Sequence, residues 1–278
     1  MSLRASFTGT GIAIVTPFNT DGTIDWASYK QLIQFWIEGK VEYLVVLGTT
    51  GESATVHGAE KQEVFSFVKN EVAGRVPIVA GIGGNDTNEV VRQFREFDLT
   101  GYDAILSVSP YYNKPNQEGI FQHYKALDAA TPLPIIMYNV PGRTGMSVSA
   151  ETTLRIANEC PNIFATKEAS GNFDLINQLI KNKPEHFMVI SGDDPITLQM
   201  IAGGAEGLIS VVANAYPKEY SDMVRLCLAG KFAEAEKLHS KYLDIIASMF
   251  AEGSPSGVKA HLLDPRPGAG HRLYGIAP

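Results

Sequence analysis

Eight short runs rich in β-branched and apolar residues recur along this chain, at 12–18, 43–48, 77–83, 104–110, 134–141, 163–170, 187–194 and 207–214. Segments of helical period fill the gaps between them. Trp26, Tyr29, Leu32, Ile33, Trp36 and Ile37 form one apolar stripe with Asp25 placed as its N-cap, and Val90, Val91, Phe94 and Phe97 form another. Near-continuous apolar runs suit parallel strands covered on both faces, and parallel neighbours need helical crossovers. Strands alternating with helices at a spacing of roughly 20–35 residues predict an α/β chain closed into a (β/α)8 TIM barrel. A doubly wound sheet is the rival. It often carries a Gly-rich phosphate turn after its first strand, whereas here that strand ends Thr16-Pro17-Phe18.

Residues 1–217 are expected to carry the barrel through its eighth strand, and 218–278 the last barrel helix, a small C-terminal helical appendage and an irregular tail. Met223, Leu226, Leu238, Leu243 and Ile246 are the candidate apolar positions of that appendage. The stretch from His261 to Pro278 is rich in Pro, Gly and Arg, has no helical period, and is expected to be irregular.

Composition removes several function classes. At 278 residues and 45% hydrophobic content the chain can bury a sizeable core. A net charge of −7 argues against a general nucleic-acid or anionic-membrane binder, which needs a basic face. Cys160 and Cys227 make no disulfide framework and fit a reducing cytoplasm. The opening Met1-Ser2-Leu3-Arg4-Ala5-Ser6 has no apolar core of a secretory leader, and no apolar run approaches a bilayer span. A soluble cytoplasmic protein is expected.

In a barrel the strand C-termini converge on one face, and that face carries the chemistry. The second run ends Gly48-Thr49-Thr50-Gly51-Glu52-Ser53, the fourth Ser109-Pro110-Tyr111-Tyr112-Asn113, and the fifth Tyr138-Asn139-Val140-Pro141-Gly142-Arg143-Thr144-Gly145. The sixth, Ile163-Phe164-Ala165-Thr166-Lys167, ends on a lone lysine, and the seventh on Ser191-Gly192-Asp193-Asp194. Desolvation lowers the pKa of a buried ammonium, and a neutral amine attacks carbonyls to make a Schiff base. Hydroxyls, a phenol, a guanidinium and that amine suit proton relay, carboxylate binding and imine chemistry.

Each residue also has a plainer role. Lys167 could snorkel outward and pair with Glu168. Tyr138 could be a core tyrosine, Thr49 and Thr50 could cap the next helix, and Arg143 could be a solvated loop cation. Asp193 and Asp194 are expected to cap a helix beginning near Pro195 rather than bind metal. Gly81-Ile82-Gly83-Gly84-Asn85 reads as a tight βα turn before it reads as a phosphate loop. The histidines at 57, 123, 186, 239, 261 and 271 lack ligand spacing, so no metal site is expected.

Taken together, the strand-end motifs from Gly48 to Ser53, Ser109 to Tyr112 and Tyr138 to Thr144, with Lys167, resemble those of the dihydrodipicolinate synthase / N-acetylneuraminate lyase family. The resemblance runs from about Gly9 to Lys259. The Thr49-Thr50 pair and Arg143 resemble the synthase branch, since neuraminate lyases more often show Ser-Thr and lack that arginine. What the resemblance implies is condensation of pyruvate on Lys167, with no metal or organic cofactor. Tyr138 would shuttle protons, linked through Thr50 to a Tyr112 supplied by a neighbouring subunit. Thr49 and Thr50 would hold the pyruvate carboxylate, and Arg143 the carboxylate of L-aspartate-4-semialdehyde. Gly192 and Ile209 would line the pyruvate pocket. The family commonly assembles as a dimer of dimers, so a homotetramer is implied, with no nucleic-acid or membrane partner.

Ser53, Ala54, Asn85, Glu89 and Tyr111 match positions where feedback-inhibited members bind lysine. Those members carry histidines where Gly58 and Lys61 align here, with His57 one place away. A cationic Lys61 would repel a lysine ammonium, so weak or absent inhibition is expected. Beyond Pro255-Ser256-Gly257-Val258-Lys259 the sequence from Ala260 no longer resembles the family. Two other readings stay open: a sister aldolase acting on a neuraminate or keto-sugar acid, which Arg143 would crowd, and a barrel that only binds a keto acid.

Overall fold

The computed structural model describes residues 2–263. Eight parallel strands, β1 (Gly9–Ala13), β2 (Tyr43–Val46), β3 (Ile78–Gly81), β4 (Ala104–Val108), β5 (Ile135–Asn139), β6 (Ile163–Glu168), β7 (Met188–Ser191) and β8 (Gly207–Ser210), close in chain order into a barrel. The closing seam sets Gly9 opposite Gly207 and Gly11 opposite Ile209. Glycine is needed there, because a Cβ on Gly207 would lie 2.3 Å from the Gly9 carbonyl oxygen. Every expected run reaches past the end of its strand. Ile14 and Val15 show why: they follow β1 and are fully buried, so apolar sequence continues into the loops folded over the mouth.

Two apolar layers organise the molecule. Side chains that alternate inward fill the barrel, among them Tyr43, Val45, Ile136, Tyr138, Ile190 and Ile209. Those that alternate outward, such as Leu44, Val46, Ile135 and Met137, pack under the helices. On β6 the register shifts, so that Ile135 faces Ile163 while Ile136 faces Ala165. The step places Phe164 in the interior beside Phe7, ring centres 5.4 Å apart. Phe7 belongs to an unexpected short helix, α1 (Leu3–Phe7), and also stacks edge-on against Tyr43 at 5.1 Å.

The apolar stripes form the expected helices. α2 (Trp26–Glu38) buries Tyr29, Leu32, Ile33 and Trp36, and the Asp25 carboxylate accepts from the Ser28 amide. The next two are α3 (Gly58–Val72) and α4 (Thr87–Glu96), which buries Val90 and Phe94 behind an Asp86 cap. α5 (Gln117–Ala130), the single turn α6 (Pro141–Thr144), α7 (Ala150–Glu159), α8 (Phe173–Asn182) and α9 (Thr197–Gly203) complete the ring with α10 (Pro217–Leu228). α11 (Phe232–Ala251) and α12 (Ser256–Leu263) follow. Met223 and Ile246 are buried, whereas Leu243, an expected apolar position, faces solvent. His261 to Leu263 are helical instead of irregular, because Leu262 and Val258, one turn apart, are both fully buried. The remainder of the expected tail, 264–278, lies outside the described residues. Among the described residues no helix is long and apolar enough to cross a membrane.

Candidate active site

Lys167 stands on β6 opposite Tyr138 of β5 and Ile190 of β7. It is 4% exposed, and its ammonium lies 4.4 Å from the centre of the Tyr138 ring. Burial lowers its pKa to about 8, and the Arg143 charge pushes the same way, while Asp194 and Asp193 oppose them. Gly192 makes room for the lysine stem. A Cβ there would come within 2.9 Å of both Cγ and Cε of Lys167.

The strand pleat separates Lys167 from Glu168, and the expected alternative pairing of the two does not form. The Glu168 carboxylate turns outward and accepts from Asn139 Nδ2 at 2.9 Å and the Ser170 amide at 2.7 Å. Asp194 also departs from its expected role as a cap. It is 2% exposed, and its carboxylate accepts from Ser210 Oγ and from the Val211 amide at 3.0 Å, which pins the end of β8 to the end of β7. Asp193 precedes the short 3-10 turn Asp194–Ile196 but makes no side-chain cap. Burial raises the pKa of both carboxyls, that of Asp194 to about 6. Sequence reasoning missed Asp194 as a neighbour of the amine, since Asp-Asp-Pro has the pattern of a helix start.

Tyr138 is buried, and burial pushes its phenol up to about 12, against the nearby Arg143 charge and a hydrogen bond with the Thr49 side chain. Thr49 is the threonine whose hydroxyl bears on the Tyr138 phenol, and Thr50 is 4% exposed within the turn. Arg143, on α6, lies at the exposed rim, where its Nη2 donates to the Ser254 carbonyl at 3.3 Å. Tyr112 is 85% exposed, with a φ of 68°. Ile209 is fully buried in the barrel interior on β8.

One cavity of about 440 Å³ opens at this mouth. Its lining includes Thr49, Tyr138 and Arg143 together with Ser53, Ala54, Asn85, Glu89, Tyr111 and Lys61. The two groups of candidate residues thus share a single concavity. Asn85 Nδ2 donates to the Tyr111 carbonyl at 3.3 Å, tying two of them together. Lys61 is half-buried, and burial lowers its pKa while Glu89 opposes the shift. The Gly81 to Asn85 segment is a close-packed turn: a Cβ on Gly81 would sit 2.2 Å from the Leu47 carbonyl oxygen. Among the described residues no three His, Cys, Asp or Glu side chains gather as metal ligands would.

A closed parallel barrel that buries an amine at the end of β6, beside a tyrosine ring and within the field of a guanidinium, has the architecture of a barrel enzyme with its chemistry at the strand ends. The chain belongs to the dihydrodipicolinate synthetase family, whose model matches residues 6–264. It is 50% identical over 254 residues to the 4-hydroxy-tetrahydrodipicolinate synthase of Parabacteroides distasonis, covering 91% of this chain and 86% of that protein. The crystal structure of dihydrodipicolinate synthase from Aquifex aeolicus superposes with a TM-score of 0.89 at 39% identity, covering 92% of this chain and 88% of the other. That of DHDPS from Cyanidioschyzon merolae, with lysine bound, gives 0.89 at 38% identity over 92% and 88% of the two chains.

Proposed function

We propose that this chain condenses pyruvate with L-aspartate-4-semialdehyde to form 4-hydroxy-tetrahydrodipicolinate, a precursor of lysine and diaminopimelate. The observation that carries the reading is Lys167, buried at a strand end with its ammonium against Tyr138 and its pKa lowered to about 8. The neutral amine attacks the pyruvate carbonyl, and water leaves as the imine forms. Loss of a methyl proton gives an enamine, whose carbon attacks the aldehyde of the second substrate. The amino group of that substrate then displaces Lys167 from the imine carbon, closing the ring and freeing the lysine. The imine itself is the electron sink, so the reading asks for no organic or metal cofactor.

Tyr138 moves the protons, with Thr49 as its hydrogen-bonded partner. Thr49, Thr50 and the backbone around Gly192 and Ile209 cradle the pyruvate carboxylate. Arg143 offers a guanidinium fork to the carboxylate of the semialdehyde. A dimer of dimers would let the exposed Tyr112 of one chain complete the relay of its neighbour. Turnover of both substrates, coupled to dihydrodipicolinate reductase, tests the reading. Lys167→Ala is expected to abolish turnover and leave the melting transition cooperative. Product formation by that variant at the wild-type rate would refute the imine route.

A further inference from the structure

The C-terminal helix reaches the mouth from outside the barrel. Lys259 on α12 is 4% exposed. Its ammonium pairs with the Glu52 carboxylate and lies 4.6 Å from the centre of the Phe18 ring. Replacing a buried ion pair by apolar residues is often neutral or stabilising, so stability alone is a poor reason for this arrangement. Its location supplies a better one. Glu52 has a φ of 57°, the left-handed region, which an ordinary residue adopts only at a cost in backbone strain. That bend ends the turn Thr49-Thr50-Gly51-Glu52, in which the Glu52 amide donates to the Thr49 carbonyl at 3.0 Å. The carboxylate gripped by Lys259 is thus three residues from Thr49, which lines the same cavity as Tyr138. The same C-terminal segment also meets Arg143, whose guanidinium donates to the Ser254 carbonyl.

We infer that Lys259 is a positioning residue for the reaction: through Glu52 it fixes the turn that aims Thr49 at Tyr138. The inference rests on the imine reading above, in which Thr49 serves the proton relay. It gives the Val258-Lys259 segment, unassigned by the catalytic chemistry, a part in that chemistry from a helix beyond the barrel.

Steady-state kinetics of Lys259→Met, with Lys259→Arg and Thr49→Val as companions, tests it. Lys259→Met is expected to lower kcat between about 10- and 100-fold, as an ångström of misplacement at reacting groups does. Lys259→Arg, which keeps the charge, is expected to recover most of that loss. Placed in Thr49→Val, Lys259→Met is expected to add less than about twofold, because both changes act on one path. Losses that multiply in the double variant would overturn the inference, and so would a lower melting temperature with unchanged kcat per folded chain. Should Lys259→Met not fold, Glu52→Gln takes its place in the same comparisons. A wild-type chain with neither turnover nor a pyruvate adduct sinks the imine reading and this inference with it. Wild-type turnover with an indifferent Lys259 sinks the inference alone.

Discussion

Lys167 lies between opposing influences: burial and Arg143 favour its neutral form, while Asp194 and Asp193 favour the ammonium. Borohydride trapping with pyruvate alone is expected to rise with pH through about 8 and level off above it. Asp194→Asn removes an influence that raises this pKa and should move the rise to lower pH. Arg143→Ala removes one that lowers it and should move the rise to higher pH. Shifts in the same direction would contradict the electrostatic account. Stability follows the same shift. The folded pKa is below the unfolded value, so the folded state binds fewer protons between about pH 8 and 10.5, and stability rises with pH across that window. At pH 7 the charged lysine is a burden, and Lys167→Met is expected to stabilise the fold by on the order of 2–3 kcal/mol in urea denaturation. The lysine was legible because an apolar run has no ordinary use for it. Asp194 was not, because its partners Ser210 and Val211 lie far along the chain. Nor was the direction of the Thr49 and Thr50 side chains, since the β2 ladder ends at Val46 and no strand alternation fixes side-chain direction in the turn.

Among the elements, the seam between β8 and β1 depends on Asn214. Its Oδ1 accepts from the Val15 amide at 3.0 Å, its Nδ2 donates to the Ala13 carbonyl at 2.8 Å, and its own carbonyl accepts from Trp36 Nε1 at 2.9 Å. One residue thus links the exits of two strands to α2. Asn214→Ala leaves two buried backbone groups without partners and should cost about 2–4 kcal/mol in urea denaturation. An effect below about 1 kcal/mol would mean that neighbouring groups or water replace the amide. The helices themselves were readable, as the α2 stripe and its Asp25 cap show. Strand ends were less so, because burial continues past the ladder at the mouth. The α1 plug has too few residues to show a period, and only Phe7 of it is buried.

At the scale of the whole molecule, the order and spacing of strands specify the closed barrel, and the barrel gathers strand ends distant in sequence at one mouth. Assembly is a different matter, since a surface residue gives no period to read. Tyr112 is 85% exposed on a left-handed backbone, and its proposed place in the relay asks for a second chain. If subunits share the relay, specific activity should fall on dilution in step with dissociation followed by light scattering. Activity independent of assembly state would contradict the sharing. Lys61, which lines the same cavity as Glu89 and Asn85, should repel a bound ammonium, so micromolar lysine is expected to leave turnover unchanged. Inhibition at that concentration would refute the repulsion. In the proposed reaction the buried amine of Lys167 carries pyruvate. Mass spectrometry of the chain reduced with borohydride in the presence of pyruvate tests it most directly. One adduct per chain is expected, mapped to Lys167 and absent from Lys167→Ala. Turnover without an adduct, or an adduct on another lysine, would contradict it.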